Sequence, residues 1–288
     1  ALFAAHKAAV PARRVSFDRH ARLAALAKLR QAVLDRQDDI IAALAADFGK
    51  HPVEVRLTEI LPILQDISHA RRHLRRWMRP RRVLPTLMMI GTSARIEAQP
   101  RGVALIIAPW NFPFQLALGP LVSALAAGCS AIIKPSEMTP ATSALIADMV
   151  ADCFAPDLVA VVQGGVEAST QLLALPFDHI FFTGSPAVGK IVMAAAAKSL
   201  ASVTLELGGK SPVIVGPDAN IAKAAKWIVW GRFINAGQTC VAPDHVFVHA
   251  SQRAALTDAL QGRIAAMYGA DPATSPALAR IVDDRNFA

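Results

Sequence analysis

Val103-Ala-Leu-Ile-Ile-Ala108 is an unbroken apolar run closed by Pro109. It is too short for a helix and carries no polar face, as expected of a strand covered on both sides. Four runs of the same kind follow. Ser130-Ala-Ile-Ile-Lys134 stops at Pro135, Leu158 to Val162 stops at Gly164, His179 to Thr183 stops at Gly184, and Val203 to Leu207 stops at Gly208. Helical windows lie between them at Gln115–Ala127, Thr142–Cys153, Ala168–Leu173 and Ala187–Leu200. Apolar strands alternating with helices predict an α/β chain with a doubly wound parallel sheet. In such sheets ligands bind beyond the carboxyl ends of the strands. Here those ends carry Pro109-Trp-Asn-Phe-Pro113, Lys134-Pro-Ser-Glu137, Thr183-Gly-Ser185 and Glu206-Leu-Gly-Gly-Lys210.

Outward from this centre, residues 6–79 read as helical, with Ala25, Leu29, Val33 and the stretch from Ile40 to Leu44 at helical spacing. After Gly209 a second unit begins, strand-like at 211–215 and 244–249 and helical at 220–233 and 252–267. The expected organisation is an N-terminal helical region (1–100), a dinucleotide-binding domain (101–208) and an incomplete α/β catalytic domain (209–288).

Composition narrows the function. Of the 288 residues 53% are hydrophobic and 18% charged, which excludes a disordered chain. The net charge of +8 includes a run of arginines at 71, 72, 75, 76, 79, 81 and 82, read as a solvated helix end entering a loop at Pro80 rather than as a nucleic-acid surface. Aromatics make up 6%, too few for a stacking platform for single strands. The most apolar stretch, Leu116 to Ile133, is interrupted by Gly119-Pro120, Gly128 and Ser130, so it reads as a buried helix and strand, not a membrane span. Three scattered cysteines suit a reducing compartment. A cytoplasmic protein with no nucleic-acid or membrane partner is expected, and no metal, because no histidine pair or cysteine cluster has ligand spacing.

Cys240 lies in Asn235-Ala-Gly-Gln-Thr-Cys-Val-Ala-Pro243, on a turn that exposes its thiol for nucleophilic work, or else is a structural residue, whereas Cys129 and Cys153 sit among apolar neighbours. None of the eight histidines is an obvious base for it. Glu206, at the end of an apolar run, reads as a desolvated carboxylate suited to general-base work, or else as an edge glutamate facing water. Asn111, held between prolines, offers an amide donor for a developing oxyanion, or caps a turn. Gly184-Ser-Pro-Ala-Val-Gly189 follows a strand and opens a helix, where backbone N–H groups receive phosphate. Lys134 and Glu137 are placed for ribose hydroxyls.

Taken in order, Pro-Trp-Asn-Phe-Pro (109–113), Lys-Pro-Ser-Glu (134–137), Phe-Thr-Gly-Ser with Gly189, Glu-Leu-Gly-Gly-Lys (206–210) and Gly-Gln-Thr-Cys (237–240) resemble the aldehyde dehydrogenase superfamily, and most closely its class 3 branch. The resemblance implies that Cys240 attacks the aldehyde carbonyl and that Asn111 with the Cys240 N–H stabilises the oxyanion. A hydride then passes to the nicotinamide, and Glu206 activates the water that releases the acid. It assigns Trp110, Lys134, Glu137, Thr183, Gly184, Ser185, Gly189, Leu207 and Gly208 to the cofactor, NAD with NADP tolerated, because Glu137 accepts from the ribose 2′-hydroxyl. Phe112, Phe114, Trp230 and Phe233 either line an apolar funnel, which suits medium-chain aliphatic or aromatic aldehydes, or fill the core, and a homodimer of the full-length protein is expected. Family members continue past residue 288 with a Glu-x-Phe-Gly-Pro motif that is absent here, so a second domain cut short is expected. Two other functional readings are a CoA-acylating relative, which typically lacks the glutamate, and a non-catalytic dinucleotide-binding remnant.

Overall fold

The computed structural model describes residues 1–287. Five helices come first: α1 (Leu2–Ser16), α2 (Arg19–Asp35), α3 (Gln37–Phe48), α4 (Pro52–Val55) and α5 (Leu61–Trp77). A π-helical turn, Arg56–Ile60, joins α4 to α5. A hairpin follows, β1 (Arg81–Val83) against β2 (Ala94–Ile96), antiparallel. The arginines of the basic run lie exposed on the last turns of α5, on the short link at Arg79 and on β1. Arg81 and Arg82 therefore belong to a strand, not to the loop expected after Pro80.

The central unit alternates strand and helix: β3 (Val103–Ile107), α6 (Gln115–Ala127), β4 (Ser130–Lys134), α7 (Pro140–Cys153), β5 (Val159–Val161), α8 (Val166–Leu173), β6 (His179–Gly184), α9 (Pro186–Ala197) and β7 (Ser202–Leu207). Its five strands are all parallel, in the order β5-β4-β3-β6-β7. Every residue of β3 and β4 is buried, which is why their sequences are apolar without alternation. Along β3 the side chains still separate by face. Ile106 joins α2, α3, α5, α6 and α7 in one core, while Val103, Leu105 and Ile107 join Phe177, Ile180, Phe182 and Val192 in the other. Lys7 of α1 ties the N-terminus to the second face by an ion pair with Asp178 at 2.9 Å.

After Leu207 the chain leaves the sheet. β8 (Ser211–Val215), α10 (Ile221–Phe233) and β9 (Pro243–Val248) form a separate two-stranded parallel sheet backed by α11 (Arg253–Tyr268), and α12 (Asp284–Phe287) closes the described chain.

The order β5-β4-β3-β6-β7 puts the topological switch between β3 and β6, because the chain builds to one side of β3 first and then to the other. In open parallel sheets ligands bind at such a switch, beyond the carboxyl ends of the strands.

Candidate active site

The cysteine loop begins where α10 ends. Asn235 (φ 55°, ψ 31°), Ala236 (φ 53°, ψ 29°) and Gly237 (φ 79°) take three successive left-handed conformations. For the two residues with a Cβ this costs roughly 1–2 kcal/mol each, so the surroundings must hold the turn. Asn235 is fully buried and does much of this. Its Nδ2 donates to the Asn111 carbonyl at 2.7 Å and to the Gln238 carbonyl at 3.2 Å. Gln238 in turn donates through Nε2 to the carbonyls of Asn235 and Arg280, both at 3.0 Å, and accepts from the Val282 N–H at 3.0 Å. Cys240, two residues on, is exposed, whereas Cys129 and Cys153 are buried. Burial pushes the Cys153 thiol above its ordinary pKa, which keeps it protonated and unreactive.

Asn111 sits on the loop between β3 and α6, and its Nδ2 donates to the Gln238 carbonyl at 2.9 Å. A primary amide has two N–H bonds, so a second donor remains beside the cysteine loop. A third loop meets these two: a Cβ built on Gly209 would stand 2.8 Å from the Cys240 carbonyl oxygen. The turn after Glu206 therefore packs directly on the Cys240 backbone. Three of the sequence motifs, separated along the chain, come together at one place.

Beneath them lies a cluster of charges, two buried and one half-buried, for which the sequence carries no signal. Lys50 and Glu59 are fully buried and pair at 2.7 Å. Glu59 also accepts from the Gln115 N–H at 2.8 Å, which fixes the start of α6, and Lys50 Nζ stands 4.2 Å from the centre of the Phe112 ring. Burial pushes the Glu59 carboxyl up against the pull of Lys50. Glu54 accepts from the Asn235 N–H at 2.7 Å, and burial raises its pKa too. Lysine and glutamate are ordinarily surface residues.

The residues expected at the cofactor gather at the carboxyl edge of the sheet. Trp110 follows β3 and is half-buried, and Lys134 ends β4, nearly buried and hydrogen-bonded to Glu137. Burial is the largest single influence and opposes the Glu137 carboxylate, but the Lys134 hydrogen bond, a backbone hydrogen bond and the Lys134 charge together outweigh it and hold the carboxyl below its usual pKa. Thr183 and Gly184 end β6, and the Thr183 hydroxyl is buried with no hydrogen-bond partner among the described residues. Ser185 caps α9 by accepting from the Val188 N–H at 3.3 Å. Gly189 lets α9 lie close on β7, since a Cβ there would meet Leu207 Cδ2 at 3.1 Å. Gly208 is exposed in the turn after β7. An orphaned hydroxyl, a capped helix start and a buried ammonium at one sheet edge fit a ligand carrying ribose and phosphate groups. Among the described residues no group of three or more His, Cys, Asp or Glu is placed to hold a metal, and no helix is long and apolar enough to cross a membrane.

Two expectations need correction. Glu206 is exposed, not desolvated, because β7 is an edge strand and Leu205 and Leu207 take the face that packs on α9. The four aromatics do not line one funnel. Phe114 is fully buried in the core, Phe112 lies against Lys50, Phe233 packs on Tyr268, and Trp230 is exposed beside Trp227. The Phe114 position follows from its place just before α6, whose buried face continues through it.

The aldehyde dehydrogenase family profile matches residues 1–286. The chain belongs to the aldehyde dehydrogenase family. Its curated relatives include the 4,4'-diaponeurosporen-aldehyde dehydrogenase of Staphylococcus aureus, 45% identical over 262 residues, covering 91% of this chain and 57% of the relative. Aldehyde dehydrogenase family 3 member A2 of Macaca fascicularis is 42% identical over 266 residues, 92% of this chain and 55% of the relative. This aldehyde dehydrogenase chain thus spans just over half the length of the curated relatives it matches. A substrate-bound Staphylococcus aureus AldH structure superposes with a TM-score of 0.94 at 44% identity, covering 98% of this chain and 61% of that one. Among more distant structural neighbours, an aldehyde dehydrogenase from Mycobacterium tuberculosis (28% identical) was solved with NAD+, and a protein from E. coli (26%) is described as an NADP dependent enzyme.

Proposed function

We propose that the protein to which this chain belongs oxidises aldehydes to carboxylic acids with NAD as the preferred acceptor and NADP tolerated. The observation that carries this reading is the meeting of three loops, with the Asn111 amide bonded to the Gln238 carbonyl and Gly209 against the Cys240 carbonyl. Cys240 is the nucleophile: its thiolate sulfur bonds to the carbonyl carbon and the carbonyl π-electrons move to oxygen. The second N–H of Asn111 and the Cys240 N–H donate to that oxygen. Such a donor is worth about 3 kcal/mol at the transition state. The dinucleotide supplies the hydride acceptor and is held by Trp110, Lys134, Glu137, Thr183, Gly184, Ser185, Gly189, Leu207 and Gly208. Loss of the hydride leaves a thioester on Cys240; Glu206 takes a proton from the water that attacks it, and the carbon–sulfur bond breaks to release the acid and the thiolate. Its exposure gives that water a path and gives the carboxylate room to turn toward the site.

The Glu137 carboxylate, held ionised by Lys134, favours a ribose hydroxyl over a 2′-phosphate and supports the NAD preference. Medium-chain aliphatic or aromatic aldehydes are the substrate class; a distant relative was solved with octanal. The β1–β2 hairpin leaves Leu84, Leu87, Met88 and Ile90 between 74% and 92% exposed, which supports a homodimer in the full-length protein. The presence of a carboxylate at position 206 sets the reading against a CoA-acylating enzyme.

The test is NADH formation from hexanal or benzaldehyde by the full-length protein and by its Cys240→Ser variant. The wild type turns over and the variant does not, because a hydroxyl is a far poorer nucleophile than a thiolate at neutral pH. Normal turnover by Cys240→Ser refutes the assignment, and a strict requirement for CoA replaces hydrolysis by acyl transfer.

A further inference from the structure

We infer that Glu54 is a positioning residue for the nucleophile loop, holding the left-handed turn at Asn235–Gly237 so that Cys240 and Asn111 stay in register. The inference rests on the reading of Cys240 and Asn111 just given.

The argument begins with local winding. In an α-helix residues five apart point to well-separated directions, because a turn takes 3.6 residues. Between Glu54 and Glu59 the chain winds as a π-helix over Arg56–Ile60, and i→i+5 winding brings residues five apart toward one side. Both carboxylates then face the active-site loops: Glu59 takes the Gln115 N–H at the start of α6, and Glu54 takes the Asn235 N–H. Single π-turns inside α-helices often occur at functional sites.

Asn235 is the point at which this support matters. It is fully buried and is the first of three left-handed residues. Its side chain bridges the Asn111 carbonyl and the Gln238 carbonyl, and the latter also receives the Asn111 amide. The Asn235 N–H has one protein acceptor, Glu54 Oε1 at 2.7 Å, the shorter end of the N–H···O range. Take that acceptor away and a buried N–H is orphaned in a turn that already stores backbone strain, and the turn has reason to relax toward φ below zero. Asn111 and Cys240 are both carried on bonds that start from this residue, so they would move apart together. Glu54 touches neither substrate nor cofactor; it acts through Asn235.

Acceptor geometry, not charge, is the essential property, and this separates the variants. Glu54→Gln keeps an oxygen at the same reach, Glu54→Ala removes it. Ala236→Gly relieves the turn, because glycine occupies the left-handed region without a steric penalty. In the full-length protein three quantities are read: kcat and KM for aldehyde oxidation, and the rate at which iodoacetamide alkylates Cys240, followed by mass spectrometry of its peptide. Cys129 and Cys153 are buried and serve as internal references.

Glu54→Ala lowers kcat and the Cys240 alkylation rate by about tenfold or more, the range expected when a reacting atom moves by a fraction of an ångström, with KM for NAD within about twofold. Glu54→Gln recovers both rates to within about threefold of wild type, and Ala236→Gly in the Glu54→Ala background recovers them in part. A role limited to stability would lower the melting temperature of Glu54→Ala without this pattern of rescue. Wild-type rates in Glu54→Ala overturn the inference, as do equal losses in Glu54→Gln and Glu54→Ala. Should Glu54→Ala not fold, Glu54→Asp, whose carboxylate is drawn back by one methylene, takes its place and shows the same loss; wild-type rates there overturn the inference. If the wild type reduces no NAD with any aldehyde while the alkylation pattern holds, the proposed reaction fails and the positioning role stands.

Discussion

Gly209→Ala is the most economical perturbation of the proposed site. A Cβ there would stand 2.8 Å from the Cys240 carbonyl oxygen, a backbone atom that cannot swing aside. Ordinary van der Waals contact begins near 3.4 Å, so the two loops must part by about 0.6 Å. Overpacking of this kind costs about 1–3 kcal/mol. The displacement falls on the residue that bears the nucleophile, and misplacement by about 1 Å costs on the order of 100-fold in rate. A shift of roughly half that size therefore predicts a loss of about tenfold in kcat. The neighbouring Gly208 supplies the control for stability and thiol reactivity, because a Cβ there meets nothing within 4 Å. Neither glycine has a positive φ, so backbone strain does not enter the comparison. Thermal melts and Cys240 alkylation are measured on both variants, and turnover on Gly209→Ala. Expected are a lowered melting temperature and slowed alkylation for Gly209→Ala alone. If Gly209→Ala matches wild type in melting, alkylation and turnover, the two loops do not touch as described and the reasoning fails.

Lys50→Met leaves Glu59 as an unpaired buried carboxylate and is expected to cost about 3–5 kcal/mol in urea unfolding, since both partners are fully buried; Lys50→Met with Glu59→Leu recovers part of that, and a loss under about 1 kcal/mol for the single variant speaks against the pair. Burial lowers the pKa of His6, which is fully buried, below the ordinary 6.5. The unfolded chain then takes up a proton near that value while the folded chain does not, so this contribution to stability is complete above 6.5 and is lost as pH falls below it. His179 is lowered as well, again chiefly by burial, and adds to the same slope. The slope from one such group is at most about 1.4 kcal/mol per pH unit. Urea midpoints across this window should fall less steeply for His6→Phe than for the wild type, and an unchanged slope rules out His6 as a contributor.

How much of this was visible beforehand follows the range of the interactions. Five strands announced themselves as apolar runs, of which β3 and β4 are buried at every residue because both their faces are covered, and the breakers after all five marked the edge where the site residues collect. The exposed Cys240 and the buried Cys129 and Cys153 were also legible, from turn residues in one case and apolar neighbours in the others. Glu206 was not, since the same run of sequence serves a central or an edge strand and only the order β5-β4-β3-β6-β7 leaves it facing water. Asn235 gave a weak local hint, as asparagine tolerates left-handed backbone. Lys50, Glu54 and Glu59 gave none. Their sequence neighbours are those of surface helices, and the partner of Glu54 lies 181 residues away. Local pattern determined the strands and the turns, because it acts through adjacent residues. Which charges are buried beneath the cysteine loop was decided by folding, because only the packed helices exclude the water that would otherwise solvate them.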